Sequence, residues 1–189
     1  MDWSTENSAA LYGLQDWGDG YVAITAEGHL AVCPQGPGEG EVDLSRLARR
    51  MEDEGVTLPA LVRFPQILRG RVARLTSLFR DTMSQQGYRG GYRPVYPIKV
   101  NHRRDVLGTL LESPGSAPMG LEAGSPAELL LALATNPGAG GIVIWHGSKD
   151  VRSLELALLA DRVGASQVAI VMETEAEAER VVAISERLG

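Results

Sequence analysis

The sequence predicts an α/β fold, a parallel sheet covered by helices, preceded by a small segment of different character. Two observations carry this expectation. From residue 58 onward, short apolar runs alternate with segments whose apolar residues recur at helical spacing. The strand candidates from residue 94 onward also share an ending, because each closes on a polar residue just before the next helix: Lys99, Glu122, His146 and Glu173. The alternation allows a (β/α)₈ barrel or a doubly wound sheet. In a barrel, catalytic groups sit at the C-terminal ends of the strands. Strand ends are also where any chain returns to solvent, so these four residues alone do not make a site.

Residues 1–57 read as the separate N-terminal segment and 58–189 as the alternating domain. A short helix fits between Asp2 and Leu14. Tyr21–Thr25 and His29–Val32, joined through Glu27-Gly28, read as a β-hairpin. Residues 34–40 are rich in proline and glycine and read as a plain loop, without the strand-loop-helix frame of a phosphate cradle. Asp43 is placed to cap a helix that carries Leu44, Leu47, Ala48 and Met51 on one face and ends at Gly55.

Leu58–Phe64 is the first strand candidate of the second part, and Ile67 to Phe79 follow at helical spacing. Pro94–Val100 is a strand whose two prolines limit its ladder. Val106–Leu111 reads as helix and Met119–Ala123 as strand. Pro126–Ala134 reads as a helix with Ser125 as its cap and Pro126 at its first position. Ile142–Trp145 and Gln167–Met172 read as strands, Val151–Val163 and Glu175–Leu188 as helices. Val95, Ile98, Leu121, Leu129, Ile142, Ile144, Val168 and Ile170 are the expected core.

Composition excludes several function classes. Apolar residues make up 44% of the chain, enough for a real core. A net charge of −6 disfavours nucleic acid or an anionic membrane as partner through bulk charge. No apolar run approaches the roughly 20 residues of a membrane span, and the acidic start lacks the features of a signal peptide. One cysteine, Cys33, forms no internal disulfide, and His29, His102 and His146 show no metal-ligand spacing. A cytoplasmic protein with no metal site is the simplest expectation.

Of 18 basic residues only Lys99 and Lys149 are lysines. Arginine keeps its proton near neutral pH and does not serve as an amine nucleophile. Lys99 lies in Val95-Tyr96-Pro97-Ile98-Lys99-Val100-Asn101, flanked by apolar residues whose burial would favour the neutral amine a Schiff base requires. A lysine at a strand end is otherwise most often a solvated charge. The motif is similar to the cofactor-lysine motif of pyridoxal-phosphate (PLP) enzymes with an alanine-racemase-like barrel. In its full form it resembles the biosynthetic arginine decarboxylase family. Trp3-Ser4, Leu11-Tyr12-Gly13, Trp17-Gly18-Asp19-Gly20-Tyr21 and Glu27-Gly28-His29 resemble that family's N-terminal signature, and Arg63-Phe64-Pro65-Gln66-Ile67-Leu68 and Gly120-Leu121-Glu122-Ala123-Gly124-Ser125 also match it.

The resemblance implies a partial (β/α)₈ PLP-binding barrel after a small hairpin and helix segment. It implies that Lys99 is the catalytic lysine holding PLP, that Glu122 lies close to it, and that Glu128 and His146 are near the cofactor. Read from the residues alone, an exposed helix carboxylate stays open as the alternative for Glu128. His146-Gly147-Ser148-Lys149-Asp150 departs from the Asn-Gly-Tyr-Lys-Asp the family leads one to expect, and Lys149 fits a pairing with a carboxylate better than chemistry. The implied activity is that of a carbon–carbon lyase: decarboxylation of L-arginine to agmatine and CO₂, leading to putrescine and spermidine. The family also implies Mg²⁺ and a dimer-based homo-oligomer. The ring-stacking histidine, the phosphate loop and the acidic partner of the pyridine nitrogen are expected beyond residue 189. The expectation is therefore the N-terminal part of a longer enzyme, inactive alone. A non-catalytic PLP-binding remnant stays open as an alternative. So does a decarboxylase for diaminopimelate or ornithine, although the Trp17–Tyr21 segment argues against it.

Overall fold

The computed structural model describes residues 3–112, 118–135 and 141–189. The chain divides into two compact units, the first ending at Arg71 and the second beginning at Val72.

The first unit is built on a three-stranded antiparallel sheet of β1 (Val22–Ile24), β2 (Leu30–Val32) and β3 (Val42–Asp43). The hairpin of β1 and β2 forms as the sequence predicts, with Thr25 N donating to His29 O at 2.8 Å across the turn. Asp2 lies outside the described residues. Helix α1 (Thr5–Leu11) starts after Ser4, whose hydroxyl accepts from Asn7 N, and α2 (Leu14–Trp17) follows. The expected helix after Asp43 is α3 (Leu44–Asp53). Asp43 does more than cap it: one carboxylate oxygen accepts from Arg46 N at 2.9 Å and the other lies 2.7 Å from His29 Nδ1. Strand β3 is too short to show in the pattern, and pairs only two residues with β2. The strand expected over Leu58–Phe64 does not form. Its apolar residues find no partner ladder, and Leu61 stays 78% exposed. Helix α4 (Pro65–Gln85) then runs across the boundary between the units.

The second unit is the alternating one. Strands β4 (Val95–Pro97), β5 (Gly120–Ala123), β6 (Ile142–Trp145) and β7 (Gln167–Ile170) form a wholly parallel sheet in chain order. Helices α5 (Arg104–Leu111), α6 (Pro126–Thr135), α7 (Val151–Arg162) and α8 (Glu175–Leu188) connect and follow them. Sequential order and parallel pairing are the topology of a barrel arc. Strand β4 is shorter than the sequence predicts, because the chain turns at once, with Val100 N donating to Pro97 O at 3.1 Å. Asp150 caps α7 by accepting from Ser153 N at 2.8 Å, and Thr174 caps α8. No helix among the described residues is long and apolar enough to cross a membrane.

The two faces of this sheet differ, which corrects the expected core. Leu121, Ala123, Val143 and Trp145 face the helices and are fully buried with Leu107, Leu129, Leu154 and Ala157. Ile98 and Leu129 are buried as expected, but Val95, Ile142, Ile144, Val168 and Ile170 are only half-buried. Val95, Ile142 and Ile144 sit in register with Gly120 or Glu122, on the face opposite the buried core of Leu121, Val143 and the described helices. The expectation assumed a sheet covered on both sides. In a barrel the helices cover only the outer face, and the inner face is covered by other strands.

Leu121→Ala should therefore cost about 2–5 kcal/mol of unfolding free energy. Ile144→Ala, on the half-open face, should cost clearly less, and denaturant titration of both variants checks the difference. In the first unit, the Arg46 backbone N–H, reinforced by His29, holds the Asp43 carboxyl below its ordinary value. A lowered acid contributes stability that is present above its unfolded value, about 4, and is lost as pH falls through the lower folded value. Asp43→Asn should flatten the loss of stability below about pH 4, read as melting temperature against pH.

Candidate active site

The site is assembled by main-chain bonds at the C-terminal edge of the sheet. Ile98 N donates to Glu122 O at 3.1 Å, His146 N to Ala123 O at 3.0 Å, and Val171 N to Trp145 O at 2.9 Å. Each chain segment leaving a strand is thus pinned to its neighbour one residue beyond the regular ladder. Ile98 turns into the helix-covered core. The next residue, Lys99, emerges with its side chain 59% exposed. The burial that its apolar neighbours suggested is not found, since Ile98 takes the buried position and Lys99 the open one.

Lys99, Glu122 and His146 meet on one oxygen. Glu122 Oε1 lies 2.6 Å from His146 Nε2 and 3.8 Å from Lys99 Nζ. The contact is a hydrogen bond to the carboxylate in the tautomer that carries the imidazole proton on Nε2. Glu128 stands in the first turn of α6. Its Oε2 accepts from Gly124 N at 2.6 Å, while its own N–H donates to Ser125 Oγ at 3.3 Å. Its carboxylate thereby holds the β5–α6 turn closed. Glu173 ends the neighbouring strand segment but is exposed. Among the described residues no bond links its carboxylate to Lys99, Glu122 or His146, so three of the four strand-end residues converge and the fourth does not.

Sequence reasoning missed two glycines and an ion-pair partner. A Cβ on Gly124 would stand 3.2 Å from His146 Cε1 and 3.3 Å from Glu128 Oε2, so the bare backbone leaves a gap between these side chains. Gly147 has φ +86°, and a Cβ there would meet Gly124 O at 2.4 Å, so the two turns pack backbone to backbone. Lys149 is fully buried. Its ammonium donates to Gly147 O at 2.6 Å and to Glu177 Oε2 at 3.4 Å, and lies 5.9 Å from the centre of the Trp145 ring. Arg180 donates to Lys149 O at 3.2 Å. The Glu173 backbone N–H, seconded by Lys149, holds the Glu177 carboxyl below its ordinary value. Lys149 is thus a tie between the β6–α7 turn and the start of α8, as the sequence suggested. The glycines carried no signal of their own, and Glu177 lies 28 residues from Lys149.

A family model for the pyridoxal binding domain of pyridoxal-dependent decarboxylases matches residues 70–187, most of the chain. The chain belongs to the pyridoxal-dependent decarboxylases. It is also similar to proteins named biosynthetic arginine decarboxylase. The one from Gloeobacter violaceus is 41% identical over 189 residues, covering 100% of this chain and 29% of that protein. The one from Prochlorococcus marinus is 42% identical over 187 residues, covering 99% of this chain and 29% of that protein. The crystal structure of biosynthetic arginine decarboxylase from Campylobacter jejuni matches with a TM-score of 0.84 at 28% identity, over 93% of this chain and 29% of that one. The chain thus spans less than a third of the length of these relatives. As a member of this family it presents residues that fit a pyridoxal cofactor: an exposed primary amine facing a carboxylate, and beside them the Gly124 gap that any Cβ would fill. Among the described residues no group of three or more His, Cys, Asp or Glu is placed to hold a metal ion.

Lys149→Met keeps the apolar stem and leaves both Gly147 O and Glu177 without the ammonium. It should lower stability by about 3 kcal/mol, read by denaturant unfolding. Gly147→Ala meets backbone rather than a yielding side chain and should cost at least about 1–3 kcal/mol. Because Glu177 is held ionised by its fold contacts, the tie should also weaken as pH falls through its lowered value, below the ordinary range of about 4. Amide exchange in the 146–150 turn, followed from pH 6 downward, checks this.

Proposed function

We propose that this chain forms the N-terminal part of a PLP-dependent decarboxylase that converts L-arginine to agmatine and CO₂ in polyamine biosynthesis. One observation carries the choice of arginine. The family model covers residues 70–187, yet the similarity to proteins named biosynthetic arginine decarboxylase runs over 100% of the chain, including the whole first unit. The substrate reading thus rests on more than the barrel shared across the family. We further propose residues 1–57 as a segment preceding the barrel and 58–189 as its first half, a cytoplasmic setting, and a dimer-based homo-oligomer. Mg²⁺ belongs to the proposal through the family resemblance alone.

In this reading Lys99 is the residue that holds the cofactor covalently, with Glu122, Glu128 and His146 beside it. When bound, the pyridoxal ring supplies an electron sink for the electron pair left by departing CO₂. The chain's own residues do the rest of what is visible here. Lys99 offers its amine from an exposed position and needs it unprotonated to act as a nucleophile. Glu122 faces that amine across 3.8 Å, beyond hydrogen-bond distance. Glu128 keeps the turn that carries Gly124 closed, and so keeps the gap open. The buried Lys149 keeps the His146 turn in place through Gly147 O.

The test is release of CO₂ from carboxyl-labelled L-arginine by the complete gene product, together with its visible absorbance in the presence of PLP. Lys99→Ala should abolish both. Ornithine and diaminopimelate should be poor substitutes for arginine. A Lys99→Ala protein that decarboxylates arginine at the wild-type rate would overturn the assignment. Lys99-dependent absorbance without any release of CO₂ would favour a non-catalytic PLP-binding protein.

A further inference from the structure

Glu122 Oε1 serves two neighbours unequally. His146 Nε2, at 2.6 Å, is within hydrogen-bond distance, whereas Lys99 Nζ, at 3.8 Å, is not. The carboxylate is therefore committed to the imidazole, and the amine is left with a looser, partly solvated ion pair. A lysine in close contact with a carboxylate is favoured as ammonium, which is unreactive as a nucleophile. Where the family resemblance leads one to expect asparagine, this chain has a histidine long enough to reach across to β5. We propose that His146 is a positioning residue: it holds the Glu122 carboxylate out of hydrogen-bond contact with Lys99 and so keeps the Lys99 amine reactive.

The surrounding charges do not offer another explanation. On α6, Glu128 spends Oε2 on Gly124 N. Behind His146, Lys149 and Glu177 are paired with one another. Glu173, after β7, is exposed and makes no bond to the triad among the described residues. His102 lines a groove with Leu107 and Leu131, between α5 and α6. Among the described residues, Lys99 and His146 are the two cations or donors that meet the Glu122 side chain.

The inference rests on the reading of Lys99 as the cofactor lysine only for its consequence. Its test needs neither PLP nor arginine, so the two can fail separately. The amine chemistry is unusually clean, because the chain has two lysines and one of them, Lys149, is fully buried. The complete gene product, without PLP, is acetylated with N-acetoxysuccinimide at a series of pH values, and labelling of Lys99 and Lys149 is read by peptide mass spectrometry. In His146→Ala, Glu122 is released to Lys99. Labelling of Lys99 at pH 7.5 should slow by about five- to tenfold, and its pH profile should move to higher pH, as expected when an opposite charge closes in. His146→Gln, which places a side-chain N–H at a similar reach, should restore the wild-type profile. Glu122→Gln should label at least as fast as wild type, and adding His146→Ala to it should change nothing further, since the two act as one unit.

Lys149 reports the fold, because a variant that opens exposes it to the reagent. Should His146→Ala do so, His146→Asn carries the test, as its amide is too short for Glu122 and must show the same slowing. An unchanged Lys99 profile in a folded His146→Ala or His146→Asn protein would overturn the proposal. So would an equal slowing in the Glu122→Gln background.

Discussion

Parallel, in-order pairing of β4, β5, β6 and β7 is the constraint on which the candidate site depends. Because the strands run in one direction, all their C-terminal ends lie on one edge, and residues far apart in the chain emerge side by side. The register then decides which of them meet. Pro97, Glu122, Ile144 and Ala169 are aligned across the sheet, on the face opposite the helix-side core. Glu122 therefore points into the concave side of the arc, where Lys99 and His146 arrive from the strand ends on either side. Strand alternation does the sorting. Burial of Ile98 in the helix-side core obliges Lys99 to the open side, and burial of Trp145 does the same for His146.

The two lysines show how differently one side chain is used in this environment. Lys149 is withdrawn from water, and a buried ammonium is tolerated only when fully partnered. It has a carbonyl, a carboxylate and an aromatic face. Those bonds fix two turns and leave the amine no freedom to react. Lys99 has one distant carboxylate and open solvent. It contributes little to stability, as exposed ion pairs do, and is free to meet an incoming carbonyl. The chain's two lysines are thus set apart, one locked into the fold and one open to solvent. Arginine serves wherever a permanent charge is enough, as in the Arg187–Glu155 pair between α7 and α8.

Two helix starts were legible from their caps. Asp43 accepts from Arg46 N and Ser125 Oγ from Glu128 N. These bonds form between residues three apart, so local sequence contains all the information they need. The strands from residue 94 were legible because their apolar runs are short and bounded by turns. Leu58–Phe64 looks the same in sequence and is not a strand, since a strand exists only with a partner and no residue in the run states whether one is available. Strand β3 is the converse: a lone valine and aspartate become a strand because β2 lies beside them.

What the sequence by itself determined is the order of elements from residue 94 onward, the caps at Asp43 and Ser125, and the strand-end positions of Lys99, Glu122 and His146. These follow from nearest-neighbour chemistry and from a motif read along one strand. Tertiary structure alone decided which face of the sheet is covered, and therefore that Ile142 and Ile144 are half-exposed while Val143 and Trp145 are buried. It also decided that Lys149 pairs with Glu177, and that His146 rather than Lys99 holds the Glu122 oxygen. Those outcomes depend on separations, 2.6 Å against 3.8 Å at Glu122 Oε1, between residues more than twenty positions apart. Such distances are set by sheet register and by the backbone contact of Gly124 with Gly147, neither of which any local stretch of sequence encodes.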